Sequence, residues 1–187
     1  MPFSFHDFFG NIIIQGTNIT KSLLDFSYQL NNQHNQDKKY VRLNTTIEES
    51  LGCVSEKSHE RINVVKQYKE DLPRIMDFGL SHLFVNIIKN AFDAMGESGV
   101  LTVTTCLQDS SVRISFHDTG PGIPEEIKES IFEPFFTTKD MGKGTGLGLA
   151  ISNEIINKYG GRIELQSAIG KGSSFNVLIP KKYLENA

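Results

Sequence analysis

Two hydrophobic periods alternate along this chain of 187 residues, and their alternation restricts the fold more than any other feature. Apolar residues recur every three to four positions from Leu80 to Ala91 and from Ile151 to Tyr159, which predicts two helices. Between these stretches, apolar residues alternate with other residues in 101–106 and in 112–116, which predicts a β-hairpin. A chain that mixes both periods in this order is expected to pack helices on a sheet.

Shorter signals complete the predicted architecture. Strands are expected in four further segments, namely 40–43, 62–68, 162–165 and 174–179. Thr45 and Glu48 have the spacing of a capping box, which would begin another helix at that point. The sequence therefore predicts an α+β fold, a two-layer α/β sandwich whose mixed, mostly antiparallel sheet is covered by helices on one face.

A heptad-like seam runs along the N-terminal segment, and a polar linker follows it. The members of the seam alternate at steps of four and three: Phe5, Phe9, Ile12, Gly16, Ile19, Leu23, Phe26 and Leu30. We expect a coiled-coil-like helix that forms a homodimer through residues 5–30, the alternative being one amphipathic helix packed on its own domain. Residues 31–39 contain no apolar side chain, which favours a boundary there between a segment 1–36 and a domain 37–187.

Charge and cysteine content argue against several classes of protein. Nineteen Lys and Arg against 22 Asp and Glu give a net charge of −3, so no nucleic-acid partner is expected. Cys53 and Cys106 form no CxxC pair, which argues against a structural zinc or a disulfide scaffold. The apolar runs are too short to span a bilayer. We therefore expect no membrane segment and a cytoplasmic location, either alone or as the cytoplasmic part of a membrane-anchored sensor.

The helix predicted from Leu80 carries a polar stripe opposite its apolar one. Asn86, Lys89, Asn90 and Asp93 follow one another at steps of three, one and three, so they project from one side of the helix. An Asn side-chain oxygen is a hard ligand that suits Mg²⁺ together with phosphate oxygens. Taken alone, the stripe is weak evidence for a metal site and is better explained as a solvated polar face.

Two glycine-rich motifs follow the predicted hairpin. Asp118 stands at a strand end before Gly120 and Gly122, where it could form a turn or accept a hydrogen bond from a ring amine. Glycines then recur at every second position from Gly142 to Gly148, just before a predicted helix. Free backbone N–H groups and a helix N-terminus favour an anion there, although a P-loop pattern is absent and each cluster alone could be a plain loop.

Taken in order, these motifs resemble the ATP-binding domain of sensor histidine kinases. The matching runs are NIIKNA with Asp93-Ala94, DTGPGIP, FEPFFTTK, GKGTGLGLAIS, GGRIELQS and GKGSSFNV. They look like the N, G1, F and G2 boxes of that family, in a form similar to the nitrogen-regulation type, and the resemblance covers residues from about 37 to 187. It implies the Bergerat-type ATP-binding fold, with ATP and Mg²⁺ as cofactors.

The resemblance also implies a role for each matching residue. Asn90 would bind the metal, with Asn86 and Lys89 near the phosphates as the other catalytic residues. Asp118 would accept the adenine amine, and Ser173 stands where the family usually has Thr beside the base. The remaining nucleotide-binding residues implied are Asp93, Gly120, Gly122, Ile123, Thr138, Lys139, Gly144, Thr145, Gly146, Leu147, Gly148 and Leu149. Residues from about 135 to 146 would form a lid that the triphosphate orders.

Asn86 decides which reaction the resemblance implies. In the ATPases that are related to these kinases, such as gyrase, that position is a Glu that activates water. An amide has no usable basicity near neutral pH. We therefore expect a kinase that transfers the γ-phosphoryl group to a histidine of a dimerisation domain, for relay to a response regulator. The alternative is a non-catalytic nucleotide-binding module, either anti-sigma-like or a pseudokinase. A gyrase-type ATPase is disfavoured.

His6 is the candidate phospho-acceptor within the chain. Asp7 follows it, as an acid follows the acceptor in the family, but the next residues lack the usual Pro. Only 18 residues separate His6 from Asp25, which is too short for two long helices and a turn. We therefore expect 1–36 to hold the end of a dimerisation helix plus a linker, with the acceptor more naturally outside this chain and His6 an exposed helix-end residue.

Overall fold

The computed structural model describes residues 39–54, 61–140 and 144–185. The predicted dimerisation helix, the linker up to residue 38 and His6 lie outside the described residues. Within those ranges, no helix is both long enough and apolar enough to cross a membrane.

The described part of the chain alternates strands with three α-helices. The helices are α1 (Leu43–Val54), α2 (Leu80–Met95) and α3 (Gly148–Lys158). The strands are β1 (Tyr40–Val41), β2 (Arg61–Gln67), β3 (Ile75–Met76), β4 (Ser98–Leu107), β5 (Ser111–Asp118), β6 (Arg162–Ser167) and β7 (Ser173–Pro180). Short 3₁₀ turns at Glu125–Ile127, Ser130–Phe132 and Lys181–Tyr183 complete the secondary structure.

The main sheet has five strands in the order β2-β4-β5-β7-β6. Strand β2 pairs with β4 in parallel, whereas β4–β5, β5–β7 and β6–β7 are antiparallel. Strands β1 and β3 form a separate antiparallel pair. The predicted hairpin and the mixed, mostly antiparallel sheet are therefore confirmed.

The core lies between the sheet and the helices, on one face of the sheet. Inward-facing residues of β4, β5 and β7 are buried, and Phe116 of β5 stacks on Phe84 of α2 with ring centroids 5.6 Å apart. The opposite face is polar, where Ser115 donates a hydrogen bond to Asn176 at 2.6 Å. This alternation along the strands is the one that the sequence predicts, and the α+β sandwich is confirmed.

Helix α2 carries the polar stripe, so its position determines the site. Asp77 fixes the start of the helix, because its Oδ1 accepts hydrogen bonds from the backbone N–H groups of Gly79 and Leu80, both at 2.9 Å. Tyr159, which directly follows α3, is fully buried and hydrogen-bonds to the segment just before α2. Its hydroxyl accepts a hydrogen bond from Phe78 N and donates one to the Met76 carbonyl. The two helices are thereby held together.

The start of α1 differs from the prediction. The helix begins at Leu43, and the N–H of Thr46 already donates to the carbonyl of Arg42 at 3.0 Å. Thr45 is therefore inside the first turn and is not its cap. The predicted strand at 40–43 is correspondingly shortened to Tyr40–Val41, because burying Leu43 and Ile47 on one helical face places Leu43 in the helix.

Candidate functional site

A cavity of about 960 Å³ opens between α2, the segment that follows β5 and the start of α3. Pockets of this size hold nucleotide- and drug-sized ligands. From α2 it is lined by Asn86, Lys89, Asn90 and Asp93, so the polar stripe of the helix faces the cavity. The sequence alone could not distinguish this arrangement from a solvated face.

Nearly every predicted site residue reaches this cavity. Besides the four residues of α2, the lining includes Asp118, Gly122, Ile123, Thr138, Lys139, Gly144, Thr145, Gly146, Leu147, Gly148, Leu149 and Ser173. Gly120 is the exception, since it does not line the cavity. Its N–H instead donates to Asp118 Oδ1 at 2.8 Å, so Gly120 acts on the site by holding the carboxylate.

Asp118 ends β5 as a buried carboxylate, 2% exposed. Its Oδ1 accepts from the backbone N–H of Gly120 at 2.8 Å and of Ser173 at 3.3 Å. Burial raises the pKa of Asp118 above its ordinary value, and the two N–H donors oppose that rise. Because both of these donors bind Oδ1, Oδ2 is the oxygen that can accept a hydrogen bond from a ligand in the cavity.

Ser167, the last residue of the run GGRIELQS, joins three segments beside Asp118, and no role was predicted for it. Its hydroxyl accepts from Ile123 N at 2.8 Å, donates to the Gly172 carbonyl at 2.8 Å and lies 3.0 Å from the Ser173 hydroxyl. The Ser173 hydroxyl is thus held next to the buried carboxylate. Ser167 is an ordinary strand residue in the sequence, so only the tertiary fold shows its place.

Two glycines bring backbone segments into close contact at this end of the cavity. A Cβ on Gly172 would lie 1.9 Å from the carbonyl oxygen of Asp118, and one on Gly122 would lie 2.1 Å from that of Ala168. Both residues have positive φ, +76° and +78°. The β6–β7 turn therefore packs directly against the loop that follows β5, and this end of the cavity is preformed.

Asn86 is tied to the first residue of α3. Its side-chain NH₂ donates to the Gly148 carbonyl at 3.0 Å and to the Ser152 hydroxyl at 3.4 Å. Gly148 and Leu149 line the cavity, so the N-terminus of α3 faces it and offers backbone N–H groups to an anion. Asn86 therefore positions the N-terminus of α3, and its amide cannot act as a general base.

The two arms of the predicted lid meet at their base. Phe135 N donates to the Gly146 carbonyl at 2.9 Å, and both residues have positive φ, +69° and +66°. A Cβ on Gly146 would lie 2.4 Å from the Phe135 backbone. Residues 141–143, between these arms, lie outside the described residues, so the expected ordering of the lid stays a prediction.

Lys139 of the lid reaches α2. Its Nζ lies 2.6 Å from Asp93 Oδ2 and 3.3 Å from Asn90 Oδ1. Asn90 Oδ1, the oxygen predicted to bind metal, therefore already contacts a cation in this structure. Hard oxygen donors of this kind fit a magnesium ion that also binds phosphate oxygens.

Other residues of the lining were not predicted. His82 lies one helical turn before Asn86 on the same face of α2, and the spacing of four residues could have identified it. Ile131 and Phe175 supply apolar walls. Their sequence signal is that of ordinary core residues.

Comparison with known proteins identifies the family. Residues 77–183 match the sequence model of the "Histidine kinase-, DNA gyrase B-, and HSP90-like ATPase" family. Sensor histidine kinase ZraS of Escherichia coli (strain K12) is 39% identical over 143 residues, which are 75% of this chain and 30% of ZraS.

Solved structures agree with the sequence comparison. The catalytic domain of histidine kinase ThkA superposes with a TM-score of 0.68 at 35% identity, covering 78% of this chain and 99% of that one. ThkA in complex with response regulator protein TrrA superposes with a TM-score of 0.67 at 30% identity, covering 88% of this chain and 49% of ThkA.

The class that the fold and the site define is therefore established. The chain belongs to the histidine kinase-, DNA gyrase B- and HSP90-like ATPase family, and it is similar to the catalytic domains of sensor histidine kinases. It spans about 30% of the length of the curated relative ZraS.

Proposed function

We propose that the chain binds Mg-ATP in this cavity and transfers the γ-phosphoryl group to a histidine of a dimerisation domain. A response regulator would then receive the phosphoryl group on an aspartate. The support is the family match over 77–183, the sensor kinases among its relatives and the neighbour ThkA, which was solved with a response regulator.

The Asp118 end of the cavity fits adenine. Asp118 Oδ2 would accept the exocyclic amine, and the Ser173 hydroxyl, held by Ser167, would hydrogen-bond the ring. Guanine presents a carbonyl where adenine has its amine, so two acceptors would face each other. An acceptor left unpaired costs about 1–3 kcal/mol, which selects ATP over GTP by roughly one to two orders of magnitude.

The opposite end of the cavity fits the phosphates. The N-terminus of α3 at Gly148 and the backbone of 144–147 would donate N–H groups, with Lys89 and Lys139 as mobile charges. Asn90 would hold a magnesium ion through its side-chain oxygen. A magnesium ion held there would supply positive charge that offsets the charge of the phosphates.

The amide side chain of Asn86, at the position where the related ATPases carry a Glu, favours a kinase over an ATPase. Its NH₂ group is committed to the Gly148 carbonyl and the Ser152 hydroxyl, and its amide cannot take a proton from water. An incoming imidazole brings its own lone pair and needs no base. Phosphoryl transfer otherwise depends on positioning and charge, which this cavity supplies.

The remaining proposals concern domain boundaries, dimerisation and location. We assign residues 1–36 to the end of a dimerisation helix with its linker, 37–187 to the catalytic domain and residues 5–30 to a homodimer contact. His6 is retained as a candidate acceptor. We place this domain in the cytoplasm, where ATP is available.

The test is a transfer assay on the protein in its full natural length, with γ-labelled ATP and Mg²⁺. We expect protein-bound label that acid removes and base preserves, as for phosphohistidine, and free phosphate that forms far more slowly. Asp118→Asn should lose the label, and His6→Gln shows whether His6 carries it. ATP binding without any protein-bound label would instead support a non-catalytic module, and rapid release of phosphate would support an ATPase.

A further inference from the structure

The ion pair between Lys139 and Asp93 links the lid to the polar stripe of α2. The Lys139 Nζ lies 2.6 Å from Asp93 Oδ2 and 3.3 Å from Asn90 Oδ1. Asn90 and Asp93 are three residues apart on α2, so both oxygens project from the same face. One ammonium group thus contacts a carboxylate and an amide oxygen together.

The Lys139 stem packs against neighbouring residues of the lid. The Lys139 N–H donates to Thr137 Oγ1 at 3.2 Å, and a Cβ on Gly144 would lie 3.2 Å from Lys139 Cδ. The returning arm of the lid therefore packs against the lysine stem. About a third of each charged side chain remains exposed, 34% for Lys139 and 30% for Asp93, so the ion pair is accessible to exchange with solvent ions.

We propose that Asp93 and Asn90 form one cation position on α2, which Lys139 fills when nucleotide is absent and which a divalent metal ion can take in its place. The inference rests on the proposed function only in assigning the metal of Mg-ATP to Asn90. It adds Asp93 as a metal-contacting residue and gives Lys139 the role of a tethered competitor.

The physical basis is that two cations cannot share these oxygens. A metal ion bound to Asn90 Oδ1 would lie within a few ångströms of the ammonium, where like charges repel strongly. The carboxylate and amide oxygens are the ligand types that Mg²⁺ and Mn²⁺ prefer. When phosphates arrive, they offer the displaced lysine a new anionic partner, so metal and lysine can then both bind.

The size of the effect follows from the strength of the ion pair. Partly exposed pairs contribute little, and their range corresponds to at most about a fivefold change in an equilibrium constant. Removing the ammonium also removes direct repulsion of the metal. We therefore expect Lys139→Met to tighten metal binding by about fivefold.

The experiment measures Mn²⁺ binding to the nucleotide-free protein by paramagnetic resonance, without any assay of activity. The wild-type protein should bind Mn²⁺ weakly, Lys139→Met should bind it about fivefold more tightly, and Lys139→Met with Asp93→Asn should return to weak binding. Glu97→Gln in the Lys139→Met background is the matched control, because it removes an exposed carboxylate just beyond α2 and should leave the gain intact.

Two results would overturn the proposal. One is a Mn²⁺ affinity that Lys139→Met leaves unchanged, and the other is a gain that persists when Asp93 is also replaced. Since no nucleotide is present, neither result bears on ATP binding. ATP titration of the wild-type protein tests that part separately, and its failure would leave a positive Mn²⁺ result standing.

Discussion

The two ends of the cavity are built in different ways. At the Asp118 end, a carboxylate that is 2% exposed accepts two backbone N–H groups, and Gly122 and Gly172 allow backbone contacts too close for any side chain. At the Asn90 end, Lys139 of the lid contacts Asp93 and Asn90 of α2, and about a third of the Lys139 side chain is exposed. The Asp118 end is thus preformed, whereas we expect the Asn90 end to become ordered when a ligand binds.

The largest effect is expected from a substitution that disrupts the preformed Asp118 end of the cavity. Gly172→Ala should reduce the free energy of unfolding by more than about 1–3 kcal/mol and abolish ATP binding, because its Cβ would overlap the Asp118 carbonyl in a left-handed conformation. Gly170→Ala is the matched control, with a similar φ of +75° but no atom within 4 Å of the new Cβ. It should lose only about 1–2 kcal/mol, as urea unfolding can measure. Equal losses would show that the close contact is unimportant.

The next largest effect concerns recognition of adenine by Asp118. Asp118→Asn should weaken ATP binding by about 10–100-fold, because the amide that replaces Oδ2 or Oδ1 leaves a donor facing a donor. The preference for ATP over GTP should shrink with it. Calorimetric titration with both nucleotides measures the two affinities, and a wild-type protein that binds ATP and GTP equally would contradict the assignment of Asp118.

A pH titration sharpens the same assignment. Burial raises the pKa of Asp118 above 3.8, so the folded protein protonates this group at a higher pH than the unfolded chain does. The contribution of the Asp118 carboxyl to stability is therefore greatest at pH values below its pKa in the unfolded chain. That contribution is lost as pH rises through its higher pKa in the folded protein. ATP binding needs the ionised form and should weaken as pH falls through the raised pKa. Asp118→Asn removes this component while the titration of ATP itself remains, so identical pH profiles would exclude the role.

The smallest effect on stability lies at the phosphate end. Lys139→Met should change the free energy of unfolding by only about 0–1 kcal/mol, because the ion pair with Asp93 is partly exposed. Hydrogen exchange should nevertheless quicken at residues 137–140 and slow again with Mg-ATP. Exchange in that segment that is already slow without nucleotide, and is unaffected by the substitution, would show that the two ends do not differ in order.

The sequence predicts the elements that depend on local pattern. Helix α2 and the β4–β5 hairpin follow from apolar periods within single segments, and the polar stripe from spacing along one helix. The parallel pairing of β2 with β4 was not predicted, since no local signal chooses a partner strand. The predicted start of α1 was wrong, because the burial of Leu43 outweighed the capping pattern that begins two residues later at Thr45.

The same distinction holds within the site. Asp118, Asn86 and Asn90 belong to motifs that can be read in order along the chain. Ser167 and the ion pair of Lys139 with Asp93, 46 residues apart, arise only when distant segments meet. Long-range side-chain contacts carry no signal in one sequence, so these contributions could be found only in the structure.

The central claim is tested most directly by a crystal structure with Mg²⁺ and a non-hydrolysable ATP analogue. We expect the adenine amine about 2.8–3.1 Å from Asp118 Oδ2, with the Gly120, Ser167 and Ser173 contacts unchanged. Magnesium should lie about 2.1 Å from Asn90 Oδ1, with Lys139 moved from Asn90 to a phosphate oxygen. A base bound away from Asp118, or a rearranged Asp118 end beside an unchanged Lys139, would contradict the account.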